Sequence, residues 1–111
     1  MNYIHKNLAN GRWYELTLAE QLGNVGSEVD RIISWKKKEN SEYSTNAFYR
    51  ALDLLDLTIS DRRWQGPKLK EICRLREVLC DSFLGGELYN TPLEYFQKYF
   101  YQFALIARKD K

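Results

Sequence analysis

Residues 17–37 read TLAEQLGNVGSEVDRIISWKK, and their spacing decides the fold. Leu18, Leu22, Val25, Val29 and Ile32 recur at intervals of four, three, four and three. That spacing lines one face of an α-helix and fits no strand. Thr17 and Glu20 form the pattern of a capping box, in which each side chain satisfies the other's orphan backbone N–H. Glu20, Ser27 and Arg31 project from the opposite face. Gly23 and Gly26 weaken the helix by up to about 1 kcal/mol each, but they let a neighbouring helix approach closely.

Three more segments carry the same period. The polar stretch KKKENSEYS, residues 36–44, ends the first helix, and a second is expected over 44–59. Its seam is Phe48, Leu52, Leu55 and Ile59, widened by Ala47, Ala51 and Leu54, with Asp53 outward and Asp56 at the border. Gly66-Pro67 opens a third helix over 67–84, since proline at the first helical position loses no hydrogen bond. Its expected seam is Leu69, Ile72, Cys73, Leu79, Cys80 and Phe83, and Gly85-Gly86 stops it. Thr91, Pro92 and Glu94 predict the cap, first residue and second capping box of the last helix. Leu93, Phe96, Phe100, Phe103, Ala104 and Ala107 face inward there, broadened by Tyr95, Tyr99 and Ile106. No alternation of strand type competes. Short connections favour antiparallel neighbours, so the expected fold is all-α, an up-down four-helix bundle. Residues 16–111 form that domain, and residues 1–15 an arm or strap. Trp13 and Tyr14 favour a strap docked on the bundle.

Composition narrows the function classes. The chain has 111 residues, 44% hydrophobic and 29% charged, an ordinary globular balance for one domain. A net charge of +2 is too small to imply nucleic-acid binding by itself. No signal-peptide pattern and no apolar run of membrane-spanning length are expected to direct it out of the cytoplasm. Cys73 and Cys80 are the only cysteines. Two helical turns separate them by roughly 10 Å, too far for a disulfide within one helix, so both are read as reduced thiols.

Arg76 is the anomaly. At 100° per residue it falls inside the stripe of Ile72, Leu79, Cys80, Leu69 and Phe83. An unpaired buried guanidinium would cost several kcal/mol. Its expected partner is a carboxylate at a seam border, Glu28 or Asp56, making a buried ion pair that fixes helix register. A subunit interface or an anion site are the alternatives. If the pair is buried, truncating Arg76 to alanine should cost roughly 3–5 kcal/mol.

Catalytic chemistry finds little support. His5 is the only histidine, which leaves no Ser-His or Cys-His nucleophile, no zinc set and no cofactor implied. LGNVGS, residues 22–27, lacks the lysine of a phosphate loop. Asp53 with Asp56, and Glu77 with Asp81, share helix faces in a way that would suit a magnesium-dependent nucleotide hydrolase, but both pairs lean to the polar side. Two basic clusters offer a different surface. Lys36, Lys37 and Lys38 lie beside Trp35, and Arg62, Arg63, Lys68 and Lys70 beside Trp64. Such clusters can hold phosphates while the indoles stack on bases, the reading of a nucleic-acid-binding accessory bundle. Lysines also close helices because they complement the dipole.

Off-seam apolar residues point elsewhere. Leu57, Val78, Tyr101 and Leu105 project away from their own seams, and Tyr101 and Leu105 are neighbours at i,i+4. With Tyr95 and Ile106 they make the last helix a candidate partner-binding surface, for a second copy or another protein. The stretches GSEVDRIISWKKKENSEYSTNAFYRALDLLDLTISD (26–61), RLREVLCDSF (74–83) and YFYQFALIAR (99–108) resemble a family of short bacterial helical proteins. The resemblance spans about residues 11–108. It implies a bacterial cytoplasmic protein and carries over no catalytic residue. The expectation is therefore a non-enzymatic helical interaction module, with the nucleic-acid and hydrolase readings behind it.

Overall fold

The computed structural model describes residues 11–85, 88–89 and 91–109. A 3₁₀ turn, Arg12–Glu15, precedes four helices: α1 Leu18–Lys37, α2 Ser41–Ile59, α3 Pro67–Leu84 and α4 Leu93–Lys109. No strand occurs among the described residues. The helices run up and down around one core. α1 packs against α2 and α4, α3 packs against α2 and more thinly α4, and α1 and α3 are diagonal.

The boundaries have local causes. Thr17 and Glu20 make the capping box at α1, at 3.0 and 3.1 Å. α1 ends in a Schellman turn. The Asn40 N–H reaches the Trp35 carbonyl and the Glu39 N–H the Lys36 carbonyl, with Glu39 at φ 58°. That left-handed residue is usually glycine. Asn40 then caps α2 by accepting from the Tyr43 N–H at 3.0 Å. α2 therefore starts at Ser41, not at 44. Gly66 sits at φ 60°, ψ −128°, a conformation open essentially to glycine, and delivers Pro67 to the start of α3. α4 begins at Leu93, one residue after the expected proline; the Thr91 hydroxyl turns back to the Tyr89 carbonyl.

The core holds Leu22, Val25, Val29 and Ile32 from α1, Ala47, Ala51, Leu54 and Leu55 from α2, Ile72, Leu75 and Leu79 from α3, and Phe96 and Phe100 from α4. Two expectations are corrected here. Leu57 is buried, not outward, because α2 is covered by α1, by α3 and by the 3₁₀ turn. Leu75 belongs to the α3 seam, whereas Cys73, Cys80 and Leu69 are only half-buried. Taking Ile72, Leu75 and Leu79 as the buried stripe, without the half-buried Leu69, Cys73, Cys80 and Phe83, turns its centre by roughly 60° at 3.6 residues per turn. That rotation carries Arg76 from mid-stripe to the edge.

Gly26 and Gly23 let α1 and α4 come together. A Cβ at Gly26 would lie 2.5 Å from Phe100 Cβ, whereas one at Gly23 would meet Ala104 Cα at 3.4 Å. Gly26→Ala is expected to destabilise the protein by about 1–2 kcal/mol, because overpacking outweighs the helix propensity gained. Gly23→Ala is expected to be neutral or stabilising by up to about 1 kcal/mol. Urea denaturation of both variants checks the contrast; equal effects would contradict the close contact at Gly26.

Candidate functional site

The most elaborate polar cluster lies at the end of the bundle where the 3₁₀ turn meets the α2–α3 connection. Gln21, Thr58, Asp61 and Trp13 are all buried. The Gln21 amide donates to the Trp13 carbonyl and to Asp61 Oδ2, both at 2.9 Å, and accepts from Trp64 Nε1 at 2.8 Å. Trp13 Nε1 donates to Thr58 Oγ1 at 3.1 Å, and Thr58 donates to the Leu54 carbonyl at 2.8 Å. Asp61 also accepts from the Arg63 backbone N–H, Nε and Nη2, at 3.1, 3.1 and 2.7 Å. Arg63 Nη2 continues to the Leu16 carbonyl at 2.6 Å. These bonds hold the Asp61 carboxyl below the usual carboxylate range: the Arg63 side chain lowers it most, burial opposes, and Gln21 adds. Every polar atom named here has a partner, so the cluster fastens the 3₁₀ turn and the α2–α3 connection to the bundle. Sequence reading missed it. The available signal was Gln21, which falls three after Leu18 and four before Val25, on the buried face.

The seam-border acids divide between two helices. Arg76 Nε and Nη2 donate to Asp56 at 2.7 and 3.3 Å. Glu28 has other partners, Arg31 Nη1 at 2.6 Å and Arg50 Nε at 2.8 Å. Diagonal placement of α1 and α3 explains the split: Glu28 reaches the neighbouring α2, not Arg76 across the bundle. Glu28 is the buried acid. The Arg76 and Asp56 side chains are 35% and 33% exposed, so their pair sits at the rim. The several kcal/mol expected of a buried pair do not apply to it; rim pairs contribute about 0–1 kcal/mol.

The basic residues fall at two ends. Lys36, Lys37 and Lys38 close α1 beside the start of α2, while Arg62, Arg63, Lys68 and Lys70 surround the start of α3 at the opposite end. Several are already engaged. Lys36 Nζ lies 4.4 Å above the Phe83 ring, Lys38 4.9 Å above Trp35, and Arg63 and Lys68 4.5 and 5.5 Å from Trp64. The two indole faces proposed for base stacking thus already carry cations. The carboxylate pairs are occupied likewise. Asp56 holds Arg76, Asp81 accepts the Leu88 and Tyr89 N–H groups at 3.0 Å each, and Glu77 accepts from the Tyr89 hydroxyl at 3.2 Å. No group of three His, Cys, Asp or Glu residues able to hold a metal assembles among the described residues.

α4 is different. Tyr95, Tyr101, Leu105 and Ile106 are 40–57% exposed. They do not form one patch. At 100° per residue, Tyr95 and Ile106 share one flank of α4, and Tyr101 and Leu105 another, roughly 110° away. The Tyr95 flank borders a groove of about 520 Å³ between α3 and α4, walled by Leu75, Val78, Phe96 and Tyr99. The Tyr99 hydroxyl meets Glu71 Oε1 at 2.5 Å. Burial first, and the Glu71 carboxylate second, push that phenol above its ordinary range, so it stays protonated at neutral pH. The Tyr101 flank borders a groove of about 420 Å³ between α1 and α4, floored by Gly23, Gly26 and Phe100.

Compared with protein-family models, curated proteins and solved structures, the chain shows no match. What defines it is the all-α four-helix bundle itself. No helix of the described residues is long and apolar enough to cross a membrane.

Proposed function

We propose that this bundle is a non-enzymatic interaction module that docks a protein partner, or a second copy of itself, through α4. The observation that carries the reading is where its apolar exposure falls. Among the described residues, four of the nine exposed large hydrophobic side chains lie on α4, and three more, Leu84, Leu88 and Tyr89, lie just before it. Scattered exposed apolars need no explanation, but their concentration in one segment does. Tyrosine suits such a surface, because it buries a large area at little entropic cost and keeps a polar tip. Half-buried free thiols at Cys73 and Cys80 fit work in a reducing compartment such as the cytoplasm.

A photo-crosslinking residue placed at position 101, in the chain's native cells, tests this. It is expected to yield a discrete adduct, and the same residue at Glu42, exposed on α2, is expected to yield none. Equal capture at both sites, or none at position 101, removes the reading.

A further inference from the structure

We infer that the outer face of α4 pairs with a second copy of this chain, antiparallel, about a two-fold axis beside Tyr101. The inference rests on the α4 reading above and names its partner. Glu94, Lys98, Tyr101, Leu105 and Arg108 follow one another at intervals of four, three, four and three, and all five are exposed. That spacing keeps them on one straight stripe of the helix, roughly 140° around α4 from Phe96 and Phe100.

The stripe is complementary to itself in one orientation only. Turned end for end about Tyr101, it sets Glu94 against Arg108 of the second copy, and Arg108 against Glu94. Two ion pairs then close the ends, about 21 Å apart along each helix. Lys98 lies against Leu105 of the second copy, its aliphatic stem covering the leucine, and the two Tyr101 rings meet at the axis. In a parallel arrangement like charges would face each other at both ends. Neither Glu94 nor Arg108 has a hydrogen-bond or ion-pair partner among the described residues of its own chain. The close approach of α1 at Gly23 and Gly26 supports the inner side of α4, so the outer face is presented on a braced helix.

A single helix pair is a small contact, so association is expected to be weak, concentration-dependent and weakened by salt. Sedimentation equilibrium of the whole chain at low salt tests it. The wild type is expected to rise from one chain mass toward two with concentration. Glu94→Arg and Arg108→Glu, each alone, place two like-charge contacts in the interface and are expected to associate about tenfold more weakly or worse. Mixed in equal amounts, they are expected to recover the doubled mass, because each mismatched end then meets an opposite charge. Leu105→Ser, which changes no charge, is expected to abolish association with an unchanged circular dichroism spectrum. A mixture that stays monomeric, or single variants that associate like the wild type, overturns the antiparallel pairing. So does a wild type that is monomeric throughout, yet an adduct at position 101 in cells would then still leave α4 a surface for another protein.

Discussion

Replacing Asp61 with alanine is expected to cost about 3 kcal/mol of stability at pH 7, read as a lower urea midpoint. Asp61 accepts four hydrogen bonds, three from Arg63 and one from Gln21, and is itself 3% exposed. Removing one partner of a buried charged pair costs about 3–5 kcal/mol. The lower end applies because the Arg63 side chain is 43% exposed and can turn to water. The same site predicts a pH dependence. Its carboxyl titrates below its ordinary range when folded, so the unfolded chain takes up the proton first as acid is added. The stabilisation is complete above the unfolded value of about 3.9 and drains away as the pH falls through the lowered folded value. The stability gap between wild type and Asp61→Asn is therefore expected to be widest near neutrality and to narrow below about pH 4. A gap that persists unchanged into strong acid would show that the charge is not what matters there.

Trp13→Ala is expected to have the larger effect, about 3–5 kcal/mol, the usual cost of truncating a buried tryptophan. Trp13 is fully buried and precedes the first α-helix. Its indole N–H reaches Thr58 and its carbonyl receives Gln21. Trp13→Phe keeps much of the volume but leaves Thr58 without its donor, so a smaller loss of about 1–2 kcal/mol is expected. Equilibrium denaturation followed by circular dichroism separates these outcomes. A Trp13→Ala variant as stable as the wild type would mean that residues 11–15 lie outside the cooperative unit.

Much of the fold was legible because the apolar period of a helix is written in the chain. Leu18, Leu22, Val25, Val29 and Ile32 would make the same stripe in isolation, and the Thr17 capping box needs only four residues. Gly26 was readable as a point of close approach, but not which helix approaches. Tyr101 and Leu105 were readable as off-seam. Tyr95 and Ile106, however, lie roughly 110° around the helix from them, and the two flanks border different grooves, Tyr101 the one toward α1 and Tyr95 the one toward α3. Arg76 falls at the centre of the stripe only when Leu75 is left out and the half-buried Leu69, Cys73, Cys80 and Phe83 are counted in.

Alone, the sequence determined the number of helices, most of their ends, and the inward face of α1 and most of that of α2, since each depends on residues within a few turns of one another. Only the tertiary structure decided who meets whom. Gln21 joins Trp13, Trp64 and Asp61, Glu28 chooses Arg50, and Asp56 chooses Arg76. Those choices follow from which helices are adjacent and which diagonal. Helical period is a local property of the backbone, whereas pairing between side chains 20 to 46 positions apart depends on how whole helices settle around a shared core.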